Sequence, residues 1–183
     1  MFGFIGDSTF FHSGITGLID AVVNKSKLAL CIVDNGTTAM TGHQENPGTG
    51  KTITGEDTQS VDLAALCVAC GVKPENVQRI DPYDLKETEK AVKDAYNSGE
   101  IFVLITTRPC ALIKDVQRRR ANMYCTVDQG LCVKCKGCMR VGCPAISLRD
   151  GHIEIERSMC NGCTICAQVC PKGAISQAGE LND

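Results

Sequence analysis

Between residues 1 and 106, short apolar runs alternate with polar stretches that carry glycine, and the alternation itself predicts the elements. Residues 2–5 form an apolar run that meets Gly6-Asp7-Ser8 directly and reads as a buried strand. Ile15, Leu18, Ile19 and Val22 recur at helical spacing within 14–23. Residues 28–33 read as a second strand ending at Asp34-Asn35-Gly36, and 61–70 as a helix stopped by Gly71. A strand over 77–80, an amphipathic helix over 83–97 and a branched-residue strand over 101–106 complete the series. Strands and helices in this order predict an α/β domain with a parallel sheet. Residues 37–54 are polar, glycine-rich and long for a connection, which marks them as functional or mobile. Residues 107–128 read as a linker between the two halves of the chain, with Arg118-Arg119-Arg120 as a solvated basic face.

The pattern changes after residue 128, and 129–183 read as a separate small domain. Over 146–155 the apolar positions alternate around Asp150-Gly151, a hairpin turn pair. Pairing Arg149 with His152 sets Leu148 opposite Ile153 and Ile146 opposite Ile155, all four on one face. Cysteines bracket that hairpin. One run is Cys132-x2-Cys135-x2-Cys138-x4-Cys143-Pro144, the other Cys160-x2-Cys163-x2-Cys166-x3-Cys170-Pro171, offset by 28 residues at the first three cysteines. The second has the spacing of bacterial two-cluster ferredoxins, and the first differs by one inserted residue. Eight thiolates so placed suit two 4Fe-4S clusters, with the fourth cysteine of each run crossing to the other cluster. That gives Cys132, Cys135, Cys138 and Cys170 to cluster one, and Cys160, Cys163, Cys166 and Cys143 to cluster two. A zinc ribbon needs only two C-x2-C pairs and leaves the third cysteine of each run unexplained. The remaining cysteines, Cys125 among them, read as spare or buried core thiols.

Composition narrows the class. Thirteen cysteines would suggest a disulfide scaffold only in a short exported chain, and the first residues show no basic region or cleavage site. No apolar segment reaches the ~18–20 residues that span a bilayer. A net charge of −2 gives nucleic-acid binding no electrostatic support. The expectation is a reducing cytoplasm, with no membrane and no nucleic-acid partner.

Ligands of an open parallel sheet sit at the carboxyl ends of its strands. Two such ends carry Asp7 and Asn35, whose side-chain oxygens can converge on one hard cation, with the Thr37 carbonyl as a third donor. Magnesium held so keeps waters and takes phosphate oxygens, and a helix beginning after Ser8 would turn its amino end toward them. Asp and Asn are also ordinary turn residues, so this reading of the residues leaves a purely structural role open.

Gly6-Asp7-Ser8 followed by Asp34-Asn35 resembles the thiamine-diphosphate motif, with Ser8 and Asp34 replacing its third glycine and first asparagine. The stretch from Gly6 to Gly14, with Thr41-Gly42-His43-Gln44-Glu45-Asn46-Pro47-Gly48-Thr49-Gly50, is similar to the large subunit of indolepyruvate ferredoxin oxidoreductases. The resemblance implies a partial thiamine-diphosphate domain followed by a small α+β ferredoxin domain of the bacterial type. It implies magnesium at Asp7, Asn35 and Thr37, and cofactor contact by Gly6, Ser8, His12, Thr41, His43 and Gln44. The implied reaction is oxidative decarboxylation of a 2-oxo acid, indolepyruvate or another aryl pyruvate, to an acyl-CoA. Its electrons would pass through both clusters to an external ferredoxin. No catalytic side chain is assigned, because the pyrimidine-binding domain and the acid that activates the cofactor have no counterpart here. That domain and a smaller beta subunit are therefore expected partners, with coenzyme A as co-substrate. The alternative is an electron-transfer protein whose α/β part is a non-catalytic docking platform.

Overall fold

The computed structural model describes residues 1–182 and separates the chain into two compact units, Met1–Cys110 and a second that begins at Ala111. In the first unit β1 (Phe2–Gly6), β2 (Ala29–Asp34), β3 (Val77–Ile80) and β4 (Phe102–Thr107) form one sheet in the order β1-β2-β4-β3. Every pair in it is parallel. Each strand lies within one residue of its apolar run, and β4, between β2 and β3, is buried on both faces over its first four residues, as an inner strand of a parallel sheet is.

Side-chain alternation along β4 divides the core. Val103 and Ile105 point to one face, where Phe10, Leu18, Ile32, Leu63, Cys67 and Val72 pack. Phe102 and Leu104 point to the other, where Ala29, Cys31, Ile80, Ala91 and Ala95 pack. On the first face lie α2 (Ile15–Val23) and α3 (Leu63–Ala69); on the second, α4 (Leu85–Asn97). Asp62 caps α3 by accepting from the Ala65 N–H at 2.7 Å, and Asp84 caps α4 through the N–H groups of Lys86 and Glu87. The second face is covered only in part. Phe4 and Val33, level with Cys31 and Gly6 in register, are 74% and 43% exposed.

The first helical segment starts earlier than its apolar spacing suggests. β1 runs straight into α1 (Asp7–Thr9), a π turn over Phe10–Gly14, and then α2. The π turn drives Phe10 fully into the core and leaves Phe11 packed beside it at 6.4 Å, edge to face.

In the second unit, residues expected to form a plain linker carry α5 (Lys114–Arg120) and β5 (Tyr124–Val127). β5 pairs antiparallel with β8 (Ile175–Ala178), fifty positions away, so local sequence holds no sign of it. The hairpin β6 (Ile146–Arg149) and β7 (His152–Ile155) has the anticipated register, Arg149 opposite His152, with Asp150 and Gly151 both at positive φ. Ile153 is buried at its centre, while Leu148 lies at the rim, 39% exposed, rather than under cover with the other three. A short helix, α6 (Ile165–Gln168), completes the unit. The basic run is not uniformly solvated. Arg118 is exposed beside Asp115, but Arg120 donates to the backbone carbonyls of Asn161 and Gly162, both at 3.1 Å.

Candidate functional site

Two places gather chemistry, one in each unit. In the first, β1 and β2 end side by side and deliver Asp7 and Asn35 to the same edge of the sheet. Asp7 is 3% exposed and its carboxylate accepts from the N–H groups of Ser8 and Gly36 and from Asn46 Nδ2, the last at 3.0 Å. Burial pushes its pKa above the usual carboxylate value, against the pull of those three donors, and the nearby Asp34 adds to the rise. A cation beside it would stabilise an ionised carboxylate at this depth.

The turn after β2 closes over this edge. Asn35 Oδ1 accepts from the Thr37 N–H at 3.1 Å, Thr37 is buried, and the Thr38 hydroxyl donates to Ser8 Oγ at 2.9 Å. Thr38 and Gln44 bridge as a tiny antiparallel pair, which shapes 38–44 into a closed loop. Within it the Thr41 hydroxyl donates to Gln44 Oε1 and Gln44 Nε2 returns a bond to the Thr41 carbonyl, each at 2.6 Å. His43 holds a left-handed backbone with φ +63° and its Nε2 lies 3.8 Å from the Cys110 sulfur. Thr41, His43 and Gln44 are thus brought to the edge that carries Asp7, on an exposed loop. His12 is exposed on the π turn and makes no side-chain hydrogen bond among the described residues. A Cβ built on Gly6 or Gly36 would meet open space, so both backbones face room at the strand ends.

Two residues take roles that sequence reasoning missed or left vague. Asn46, 7% exposed, ties the glycine-rich loop to Asp7 and also accepts from the Gly48 N–H at 2.9 Å. Asp34 turns the other way, pairing with Arg79 at 3.0 Å and accepting from the Thr107 hydroxyl at 2.9 Å. Asp34, one of the two departures from the thiamine motif, thereby joins β2 to β3 and β4 and leaves Asn35 to the rim.

In the second unit, Cys132, Cys135, Cys138 and Cys170 line one cavity, walled by Val127, Ile153 and Ile175. The Ala174 N–H donates to Cys170 Sγ at 3.3 Å. Cys160 and Cys166 pack with Cys125 in the same apolar cluster that holds Cys132, Cys138 and Cys170, and Cys160 and Cys163 both lie within electrostatic reach of Cys166. Among the described residues no hydrogen bond joins Cys143 to Cys160, Cys163 or Cys166. Burial pushes the Cys138 thiol up and the Cys166 thiol to about 12, so a thiolate set here needs a cation to take its charge.

The two cysteine loops are conformational twins. Lys134 and Lys136 in the first, and Gly162 and Thr164 in the second, all have φ between 55° and 66°, each pair offset by the same 28 residues as the cysteines. Three of the four are not glycine, so the left-handed geometry is imposed by the loop rather than favoured by its residues. The copies diverge at the inserted residue, where Gly142 at φ +70° ends the turn over Gly137–Val141 before Cys143.

A parallel sheet whose strand ends gather an acid, an amide and a glycine-rich loop, on the same chain as paired cysteine loops, defines a cofactor enzyme with an iron–sulfur module. The chain belongs to the thiamine pyrophosphate enzyme family: residues 1–106 match its C-terminal TPP binding domain. Residues 153–176 match a 4Fe-4S binding domain. Among its relatives, the indolepyruvate oxidoreductase subunit IorA of Methanothermobacter marburgensis is 40% identical over 178 residues, covering 97% of this chain and 28% of that protein. The subunit of the same name from Archaeoglobus fulgidus is 39% identical, over 95% of this chain and 28% of its own length. The pyruvate synthase subunit PorD of Methanocaldococcus jannaschii is 35% identical over 57 residues, 30% of this chain and 65% of that one. The chain therefore spans just over a quarter of the length of its IorA relatives. No helix among the described residues is long and apolar enough to cross a membrane.

Proposed function

We propose that this chain forms the diphosphate-binding and electron-relaying part of a 2-oxo acid ferredoxin oxidoreductase, with indolepyruvate or a related aryl pyruvate as substrate. The reading rests above all on one observation: a buried Asp7 carboxylate held at a strand end occurs on the same chain as twin cysteine loops. Asp7, Asn35 and the Thr37 carbonyl would hold Mg2+, and Gly6, Ser8, Thr41, His43 and Gln44 would face the diphosphate of thiamine diphosphate. His12, exposed on the π turn that follows, would join them. When bound, thiamine diphosphate would supply the electron sink for decarboxylation, and these residues would supply its position and electrostatics. Asn46 would keep Asp7 oriented for the cation, and the Thr38–Gln44 bridge would fix the loop that carries Gln44 and His43.

Cys132, Cys135, Cys138 and Cys170 would ligate one 4Fe-4S cluster, and Cys160, Cys163, Cys166 and Cys143 the other. Shared lining of one cavity by the first four supports the crossed assignment. The partners would be a pyrimidine-binding domain or subunit, a smaller beta subunit, coenzyme A and an external ferredoxin, in a reducing cytoplasm. The test is anaerobic reduction of ferredoxin by the assembled enzyme, comparing indolepyruvate with pyruvate, with and without coenzyme A. Acyl-CoA formation that is faster with indolepyruvate supports the proposal. Reduction that is independent of any 2-oxo acid would refute it.

A further inference from the structure

One surface of the second unit brings together exposed apolar side chains, guanidinium groups and one of the paired-loop cysteines. A groove runs between the α5 segment and residues 156–161, with both walls inside that unit. On one wall Leu112, Val116 and Arg120 recur every four positions, the spacing of a single helical face. On the other stand Arg157, Met159 and Cys160, within the stretch that matches a 4Fe-4S binding domain. Leu112 is 63% exposed and Met159 55%, so the groove leaves apolar side chains in water. Exposed apolar area rimmed by polar groups is the anatomy of a protein–protein contact, in which Met and Arg are enriched.

Charge says what kind of partner fits. The helix α5 carries Lys114, Arg118, Arg119 and Arg120 against Asp115, and the facing wall adds Arg157 against Glu156. Five cations against two acids leave a surplus of three, on a chain whose net charge is −2. Two of the cations build the walls: Arg120 donates to the Asn161 and Gly162 carbonyls, and Arg157 stacks over the Tyr124 ring at 4.3 Å. Lys114, Arg118 and Arg119 are exposed on α5 and face water. An acidic protein approaching this side is drawn in by the opposite field, which speeds encounter.

We propose that this groove is the docking face for a small acidic iron–sulfur electron carrier, and that electrons leave the chain past Cys160. One electron at a time passes from the reduced cluster held by Cys160 to the oxidised cluster of the carrier, with no bond made or broken and no proton moved. The first cysteine set has exposed cations too, Lys134, Lys136 and Lys172, beside exposed Leu131 and Val133, so charge and apolar exposure alone do not choose. The kind of cation does. A guanidinium can grip a carboxylate through two parallel bonds, whereas lysine is depleted at protein interfaces. The inference rests on the reading of Cys160 as a cluster ligand.

The test uses the assembled, iron-loaded enzyme, reduced with stoichiometric dithionite and mixed anaerobically with a small acidic two-cluster ferredoxin. Arg118→Glu with Arg119→Glu should slow electron transfer to ferredoxin about tenfold at low ionic strength. The gap should narrow as salt is added, because the charges are exposed. Iron content and the rate with a small uncharged quinone as acceptor should stay at wild-type values, and Arg118→Gln with Arg119→Gln should show a smaller loss. Carbodiimide, which joins ferredoxin carboxylates to lysines, should cross-link Lys114, the one lysine of α5 and 156–161. Undiminished transfer to ferredoxin in the Glu variant would overturn the docking face, as would cross-links at Lys134, Lys136 or Lys172 in place of Lys114. A Lys114 that another part of the assembled enzyme covers would overturn it as well. Wild type that reduces neither ferredoxin nor quinone would refute the cluster reading itself, and the docking face with it.

Discussion

Asn46→Ala is the sharpest probe of the first unit. The side chain is buried and makes two bonds, one from Nδ2 to the Asp7 carboxylate at 3.0 Å and one from the Gly48 N–H to its Oδ1 at 2.9 Å. A hydrogen bond to a charged group contributes about 1.5–3 kcal/mol and a neutral one about 0.5–1.5 kcal/mol. Truncation should therefore destabilise the unit by about 2–4 kcal/mol, and Asp7 would keep only its two backbone donors. Because Asn46 orients a proposed metal ligand without being one, affinity for Mg2+ should drop about 10–100-fold. Calorimetric titration of the assembled enzyme with Mg2+ and thiamine diphosphate measures the second effect, and thermal melting of the cofactor-free protein the first. Unchanged affinity together with a lowered melting temperature would refute the reasoning, because it would make the Asn46–Asp7 bond purely structural.

Burial raises the Asp7 pKa, so in cation-free protein its contribution to stability is present below the ordinary carboxylate value and lost as pH rises through the raised value. Asp7→Asn should flatten the melting temperature against pH over that window while abolishing cofactor retention, and parallel pH curves for the two proteins would count against the burial argument. For the crossed ligand sets, Cys138→Ser combined with Cys170→Ser should keep about four irons per chain, whereas Cys138→Ser with Cys143→Ser should keep almost none. The reverse pattern in iron analysis would assign each run to its own cluster. Ile105 is fully buried at the centre of the sheet, and Ile105→Ala should cost about 2–5 kcal/mol, read as a fall in denaturation midpoint; a loss below about 1 kcal/mol would mean the site collapses around the gap.

Much of this architecture was legible because it is local. Four apolar runs gave four strands, and β4, buried on both faces over most of its length, is the clearest case. The Asp150-Gly151 turn gave the hairpin register, because a two-residue loop leaves one way to pair its flanks. The cysteine spacing gave loops whose left-handed positions repeat with it. The features that escaped were non-local or without period. β5 is four residues long and is a strand only because β8 returns to it. Asn46 sits in a polar, glycine-rich loop where no residue stands out, and only burial against Asp7 distinguishes it. Cys125 meets Cys160 across 35 positions, so its spacing to the first run made it look like a spare. Asp34, read as a variant of the motif's first asparagine, instead makes an ion pair with an arginine that no motif includes.

If this chain carries both a thiamine-diphosphate half-site and two iron–sulfur clusters, as proposed, one preparation must show both. The most direct test is anaerobic purification followed by measurement of iron and thiamine diphosphate on the same sample. The expected result is about eight irons per chain together with thiamine diphosphate that is retained in the presence of magnesium. Eight irons and no thiamine diphosphate, even after the cofactor and magnesium are supplied to the assembled protein, would contradict it and leave a ferredoxin on a docking platform.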